Sequence, residues 1–224
     1  MAQVVISGTS RGLGLELVKI HLKEGWRVIG VARSRAPIDH PRYRHLAGDI
    51  TREDFSGQFS AWLADLQVAR VDRLINNAGC GSAGARLSEI EVSVMTEQFK
   101  LHCGAALVLI QTLRDRLSSA EIVNITSRLG SMVQHQRGDF TGGDFSYAYR
   151  IAKAAQNMLS LCLSDDLELA GCRILSINPG LLQTASGSSD AVYSAAQGAR
   201  AVLATIQRAP RSGLYHAFGE LAEY

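Results

Sequence analysis

Short runs of Val, Ile and Leu recur at Val4–Ile6, Val28–Ala32, Val71–Ile75, Ile122–Ile125 and Ile174–Ile177, with longer segments between them. Runs this continuous belong to strands buried on both faces, because a strand with one face in water alternates apolar and polar residues. Among the intervening segments, Phe55, Phe59, Trp62, Leu63 and Leu66 fall at i, i+4, i+7, i+8 and i+11, one apolar stripe of an amphipathic helix. Strand then helix, repeated, predicts parallel strands joined by right-handed crossovers: an α/β, doubly wound (Rossmann) architecture with helices on both faces. No linker divides the chain, and 224 residues suit one full-sized domain covering 1–224.

Composition narrows the function classes. The 23 basic and 21 acidic residues are interleaved and leave a formal net charge of +2, which offers no electrostatic footprint for nucleic acid or an anionic membrane. Cys80, Cys103, Cys162 and Cys172 form no C-x-x-C pair and have no histidines at zinc-ligand spacing, so they are expected to be reduced and mostly buried, and no metal is expected. The longest apolar run, Cys103–Ile110, is far short of the ~20 residues that span a bilayer, and no leader pattern opens the chain. A cytoplasmic address is the expectation. Two long helices, about Val92–Leu117 and Tyr147–Leu169, either cover the sheet or also serve a subunit interface, and the polar stretches Gln134–Asp144 and Gln183–Asp190 read as loops bordering a pocket.

The sequence Ser7-Gly8-Thr9-Ser10-Arg11-Gly12-Leu13-Gly14 follows the first strand and opens a helical pattern. Gly8 permits the turn, Gly12 lets the backbone approach a pyrophosphate, and Gly14 allows close packing, while the helix N-terminus offers amide donors and the positive end of its dipole. A dinucleotide is the natural ligand. An acidic side chain at the end of the second strand would bind the ribose 2′-hydroxyl of NAD, yet the sequence there reads Val31-Ala32-Arg33-Ser34, with no carboxylate before Asp39. Arg33 and Arg11 are placed to form charge-assisted hydrogen bonds to a 2′-phosphate, which favours NADPH/NADP+.

Five motifs occur in order: Gly8-x-x-x-Gly12-x-Gly14, Asn76-Asn77-Ala78-Gly79, Ser127, Tyr149-x-x-x-Lys153, and Asn178-Pro179-Gly180 leading to Thr184. With them the chain resembles the short-chain dehydrogenase/reductase family over nearly its whole length. The segment GGDFSYAYRIAKAAQN, with its Tyr147-x-Tyr149-Arg150 step, is similar to the C-factor and sniffer-type carbonyl reductase branch. The resemblance implies a mainly parallel sheet of about seven strands, an NADPH-dependent reduction of a small-molecule carbonyl, and a homodimer or homotetramer formed through the two long helices. A regulatory protein that keeps the nucleotide site with weak or lost turnover, and a biosynthetic ketoreductase, are the alternatives.

Tyr149 and Lys153 stand one helical turn apart, about 5–6 Å at Cβ. Tyr149 lies about 40° from Lys153 around the axis and Tyr147 about 120°, so Tyr149 is the partner phenol. A neighbouring ammonium is expected to lower a tyrosine pKa from about 10 toward neutrality, making Tyr149 the general acid in reduction. Ser127 ends the Glu121–Ile125 strand, at the C-terminal edge where ligands of open α/β sheets bind, and Thr126 would point the other way. The resemblance assigns the substrate-oxygen contact to Ser127, the proton to Tyr149, and phenol activation with a ribose contact to Lys153. It also implies nucleotide contacts at Gly8, Ser10, Arg11, Gly12, Leu13, Gly14 and Arg33, at Asp49 and Ile50 beside the adenine, at Asn76, Ala78 and Gly79 along the adenosine, and at Tyr149, Lys153, Pro179, Gly180 and Thr184. His102 stands where many members carry an asparagine that holds a relay water. It either sustains that relay, titrating near neutral pH, or is a buried, hydrogen-bonded side chain. Met132, Phe140 and Phe145 are candidates for apolar pocket walls.

Overall fold

Each of the five apolar runs becomes a strand of one parallel sheet. The computed structural model describes residues 1–140, 145–184 and 191–218. In it β1 (Gln3–Ser7), β2 (Arg27–Ala32), β4 (Arg73–Asn76), β5 (Glu121–Ile125) and β6 (Arg173–Asn178) occupy the middle of a seven-stranded sheet. β3 (Tyr43–Ala47) and β9 (Gly213–His216) close its two edges, giving the order β3-β2-β1-β4-β5-β6-β9 with every pairing parallel. A separate two-residue pair, β7 (Leu182–Gln183) with β8 (Tyr193–Ser194), lies outside this sheet.

Strand alternation divides the core. Val4 and Ile6 face α1 (Gly12–Lys23) and α7 (Ala195–Arg208), with Leu17, Val18, Val202 and Ile206. Val5 faces the opposite way, toward Phe55, Phe59 and Leu63 of α2 (Phe55–Asp65) and Leu109 and Leu113 of α4 (Ala105–Leu113). The stripe read on α2 is thus the buried one, with Trp62 and Leu66 packed at its margin.

The expected helix from Val92 is not continuous. It runs as α3 (Val92–Phe99), a widened π turn at Lys100–Gly104, and α4, ending in a 3₁₀ turn at Arg114–Arg116. The second long helix is α6 (Tyr147–Ser164), which packs against α3 and stops short of the expected Leu169. The expected loop at Gln134–Asp144 begins inside a short helix, α5 (Met132–Gln136), whose N-terminus Ser131 caps through its hydroxyl; residues 141–144 of that stretch, and 185–190 of the other expected loop, lie outside the described residues. Among the described residues no helix is long and apolar enough to cross a membrane.

The end of the sheet away from the strand C-termini carries a partly buried ionic row. Arg73, Glu121 and Arg173 stand in register on β4, β5 and β6, and Glu121 pairs with both arginines. His21 on α1, fully buried, gives its Nδ1 hydrogen to the Leu17 carbonyl (2.7 Å), so its Nε2 accepts from Arg73 Nη1 at 2.9 Å. Burial holds His21 down to about 4, with the Arg73 charge adding to the fall. Unfolded, it takes up a proton near 6.5. Between those values the unfolded chain binds more protons than the fold, so stability drops as pH falls from about 6.5 toward 4. Urea midpoints should therefore decline across that window, and His21→Gln, which does not titrate, should make the decline shallower; an identical slope in the variant would contradict this.

Candidate active site

The glycine turn is built as a cradle at the C-terminal ends of β1 and β2. Gly8 donates its amide to Val31 O (2.8 Å), which ties the turn to the end of β2. Gly8 and Gly12 have φ of +72° and +57°, in the left-handed region that favours glycine. A Cβ on Gly14 would stand 2.1 Å from Gly8 O, so only glycine lets α1 approach the turn so closely. Arg11, extended, is the N-cap of α1 and supplies no side-chain cap, and no acidic residue occupies the first turn. The donors and dipole of this helix end are left for a ligand.

Asn77, which the motif reading did not single out, braces the turn. Its Nδ2 donates to Ser7 O (3.0 Å) and Gly8 O (3.2 Å), while the Ser7 hydroxyl accepts from the amides of Asn77 (3.1 Å) and Ala78 (3.0 Å). The Asn76 side chain is buried and donates to Asn124 Oδ1 (2.8 Å) inside the sheet, so its backbone is what remains for a nucleotide. Leu13 and Ile50 also have their side chains in the core, leaving only backbone for a ligand. Gly30 stands in the middle of β2, where a Cβ would meet Tyr43 Oη at 2.4 Å; that hydroxyl donates to Thr9 Oγ1 (3.3 Å) beneath the turn.

On the ribose side, Arg33 is exposed just past β2, and its charge helps hold Asp49 below the usual carboxylate range, after the hydrogen bonds from the Thr51 hydroxyl (2.7 Å) and amide (2.9 Å). Arg35, a further exposed guanidinium two residues on, depresses His45 after burial does. Ser10 and Ala78 are half-buried and Gly79 exposed along the same edge. Across the sheet, Pro179 and Gly180 follow β6; Gly180 has φ +84° beneath the Phe218 ring, and Thr184 approaches Gly12, 3.4 Å from where a Cβ would stand.

Ser127 leaves the end of β5 and caps a 3₁₀ turn at Arg128–Gly130 by accepting from Leu129 N (3.2 Å). Thr126 points inward to Asn157 (2.5 Å), as alternation predicts. Ser146 caps α6 by accepting from Tyr149 N, and α6 brings Tyr149 to Ser127 while Tyr147 stays exposed. The Tyr149 pKa is raised, against the expected lowering: burial dominates, the hydrogen bond with Ser127 offsets part of it, and the nearby Cys80 adds to the rise. Lys153 does not reverse this. Its Nζ lies 5.7 Å from the Tyr149 ring centroid and donates instead to Ile125 O (2.8 Å) and Gln156 Oε1 (2.9 Å), and burial lowers its own pKa to about 7. The site thus holds a protonated phenol against a hydroxyl at the carboxyl edge of the sheet, with an amine that exchanges protons near neutrality behind it.

His102 sits in the π turn, a widening that often marks functional positions. Of the two alternatives, the structure displays the buried, hydrogen-bonded side chain: Nε2 donates to Cys80 O (3.0 Å) and Gln98 Oε1 (3.1 Å), and Nδ1 is buried without a hydrogen-bond partner. Burial, with the Lys153 charge, lowers its pKa to about 3, so it stays neutral and the expected titration near neutral pH does not occur. Its ring meets Tyr149 edge-on at 5.3 Å and packs over Gly79, where a Cβ would clash at 2.5 Å. Of the four cysteines only Cys103 is buried; Cys172 is half-buried, and Cys80 and Cys162 are exposed because they fall outside the core faces.

The family described as short chain dehydrogenase matches residues 2–192. Protein FixR of Bradyrhizobium diazoefficiens is 33% identical over 203 residues, 84% of this chain and 69% of that protein. C-signal of Myxococcus xanthus is 30% identical over 149 residues, 65% of this chain and 86% of that protein. The carbonyl reductase Sniffer of D. melanogaster superposes with a TM-score of 0.88 at 24% identity over 100% of both chains, a likeness of fold.

Proposed function

The chain belongs to the short-chain dehydrogenase/reductase family of oxidoreductases, and from that premise we propose that it reduces a small-molecule carbonyl to an alcohol with NADPH. The observation that carries this reading is the protonated Tyr149 phenol held at the Ser127 hydroxyl, on the sheet edge that also bears the uncapped N-terminus of α1.

The residues present fit a dinucleotide. The amide donors opening α1 and the side-chain-free surface of Gly12 suit a pyrophosphate; Arg33 and Arg11, both exposed, suit a ribose 2′-phosphate; Ala78, Gly79 and Thr184 line the path between. When bound, the reduced nicotinamide supplies the hydride that adds to the carbonyl carbon as the C=O double bond opens. Tyr149 gives its phenolic proton to the oxygen, completing the alcohol, and a pKa held up by burial keeps that proton in place until then. Ser127 donates a hydrogen bond to the same oxygen as negative charge develops. Lys153, with its pKa near 7, supports recovery of the phenol's proton, and His102 positions the Tyr149 ring by its edge contact.

Arg33→Ala should weaken NADPH binding about tenfold or more while changing NADH affinity little, because one charge-assisted hydrogen bond to a phosphate is lost. Fluorescence titration with both nucleotides checks it; equal losses for the two would reject the 2′-phosphate assignment. An outward stripe on α6, Tyr147, Ile151, Met158 and Leu161, each 42–54% exposed, suits a second copy of the chain. Sedimentation should show a species heavier than the 24.2 kDa monomer.

A second reading, a nucleotide-binding regulatory protein with weak or lost turnover, draws on the likeness to C-signal. Tight NADPH binding with no oxidation across aldehydes, ketones and diketones would favour it.

A further inference from the structure

Arg128 follows Ser127 and Arg150 follows Tyr149, and both guanidiniums come to rest over one ring. Their Cζ atoms lie 5.4 and 5.5 Å from the centroid of buried Phe140; Arg150 is also 6.0 Å from Phe145, whose ring meets Phe140 edge-on at 5.7 Å. Phe140 and Phe145 are therefore more than apolar walls. They gather two cations carried by the residues next in sequence to the two groups proposed to handle the substrate oxygen.

Neither cation has a counterion among the described residues, whose ion pairs involve other arginines and lysines. Arg128 Nε is buried with no hydrogen-bond partner, and the side-chain hydrogen bond of Arg150 runs to His135 Nδ1, a neutral acceptor. Among the described residues, the neighbouring elements pair no carboxylate with either arginine. His135 faces in from α5 and His216 from the end of β9, where the Arg128 charge, after burial, lowers its pKa. Asp139 beside Phe140 is exposed and pairs with neither arginine. A cation–π contact satisfies none of a guanidinium's N–H donors, whereas an oxyanion accepts charge-assisted hydrogen bonds from them.

We infer that the substrate carries, besides its carbonyl, a carboxylate received by Arg128 and Arg150, so that the preferred substrates are oxo acids. The inference rests on the carbonyl-reductase reading above. The pyrophosphate end of the nucleotide is served by the opening of α1, whereas these arginines directly follow Ser127 and Tyr149, the two groups that meet the substrate oxygen in that reading. Planar guanidinium forks match a carboxylate.

Two isosteric pairs test it with NADPH: 4-oxobutanoate against 4-oxobutanamide, and 4-formylbenzoate against 4-formylbenzamide. The expected result is that kcat/KM favours the acid of at least one pair by about tenfold or more, the value of one charge-assisted hydrogen bond. That acid-to-amide ratio should fall toward unity in Arg128→Met, and also in Arg150→Gln, which guards against a folding defect in the first variant. Acids and amides reduced equally, or a ratio untouched in both variants, would overturn the inference and leave the carbonyl-reductase reading standing. Weakened NADPH binding in Arg128→Met with an unchanged ratio would overturn it too, giving the arginines to the nucleotide. No reduction of any of the four probes, nor of a wider aldehyde and ketone panel, would instead remove the reading on which the inference rests.

Discussion

Tyr149→Phe is expected to lower turnover of NADPH with any accepted aldehyde or ketone by about a hundred- to ten-thousand-fold, the usual contribution of a positioned general acid. Nucleotide affinity should stay close to wild type, since the phenol ring and its edge contact with His102 remain. The size of the effect follows from the environment. Burial raises the Tyr149 pKa, the Ser127 hydroxyl lies against the phenol, and Lys153 directs its hydrogen bonds to Ile125 and Gln156. Nucleotide titration beside steady-state rates separates the two expectations, and activity retained in the variant would reject Tyr149 as the acid.

Gly130→Ala should damage activity severely without touching a reacting group. A Cβ at Gly130 would stand 2.7 Å from the Lys153 carbonyl carbon and 2.9 Å from both Lys153 O and Ala154 N, all backbone of α6. Backbone cannot rotate away, so the 3₁₀ turn and α6 must part. Ser127 is carried by the first and Tyr149 by the second, and a displacement of about 1 Å between reacting groups costs about a hundredfold in rate. Gly57→Ala on α2 is the matched control, with nothing within 4 Å of the new Cβ; it should be neutral or stabilising by about 0.5–1 kcal/mol and leave kcat/KM alone. Equal activity of the two variants would show that the seam between the 3₁₀ turn and α6 does not set the site's geometry.

The central strands were legible because both their faces are buried, which leaves an unbroken apolar run. β3 and β9 were not. They are the sheet edges, and YRHLA and GLYH carry the polar side chains that edges tolerate. The break at Lys100–Gly104 escaped periodicity because a π turn shifts the helical register without changing which residues are apolar.

At the site, the glycine turn, Ser127, Tyr149 and Lys153 could be placed from local spacing and strand ends. Quantities summed over the fold could not. The upward shift of Tyr149 and the downward shifts of Lys153 and His102 arise first from burial, contributed by elements distant in sequence. The inward turn of Asn76, the brace at Asn77 and the meeting of Arg128 with Arg150 over Phe140 likewise depend on partners many residues away. A glycine in the middle of β2 was the available sign of the Tyr43–Thr9 contact, since an isolated strand glycine marks close approach.

The central claim is that Ser127 and Tyr149 complete a hydride transfer onto a carbonyl. Its most direct test is to incubate the protein with NADPH deuterated on the transferring nicotinamide carbon and a panel of aldehydes, ketones and oxo acids, then to analyse the products by mass spectrometry. The expected product is an alcohol with deuterium on its carbinol carbon, lost in Tyr149→Phe. Tight binding of the labelled nucleotide with no deuterated alcohol from any substrate would contradict it.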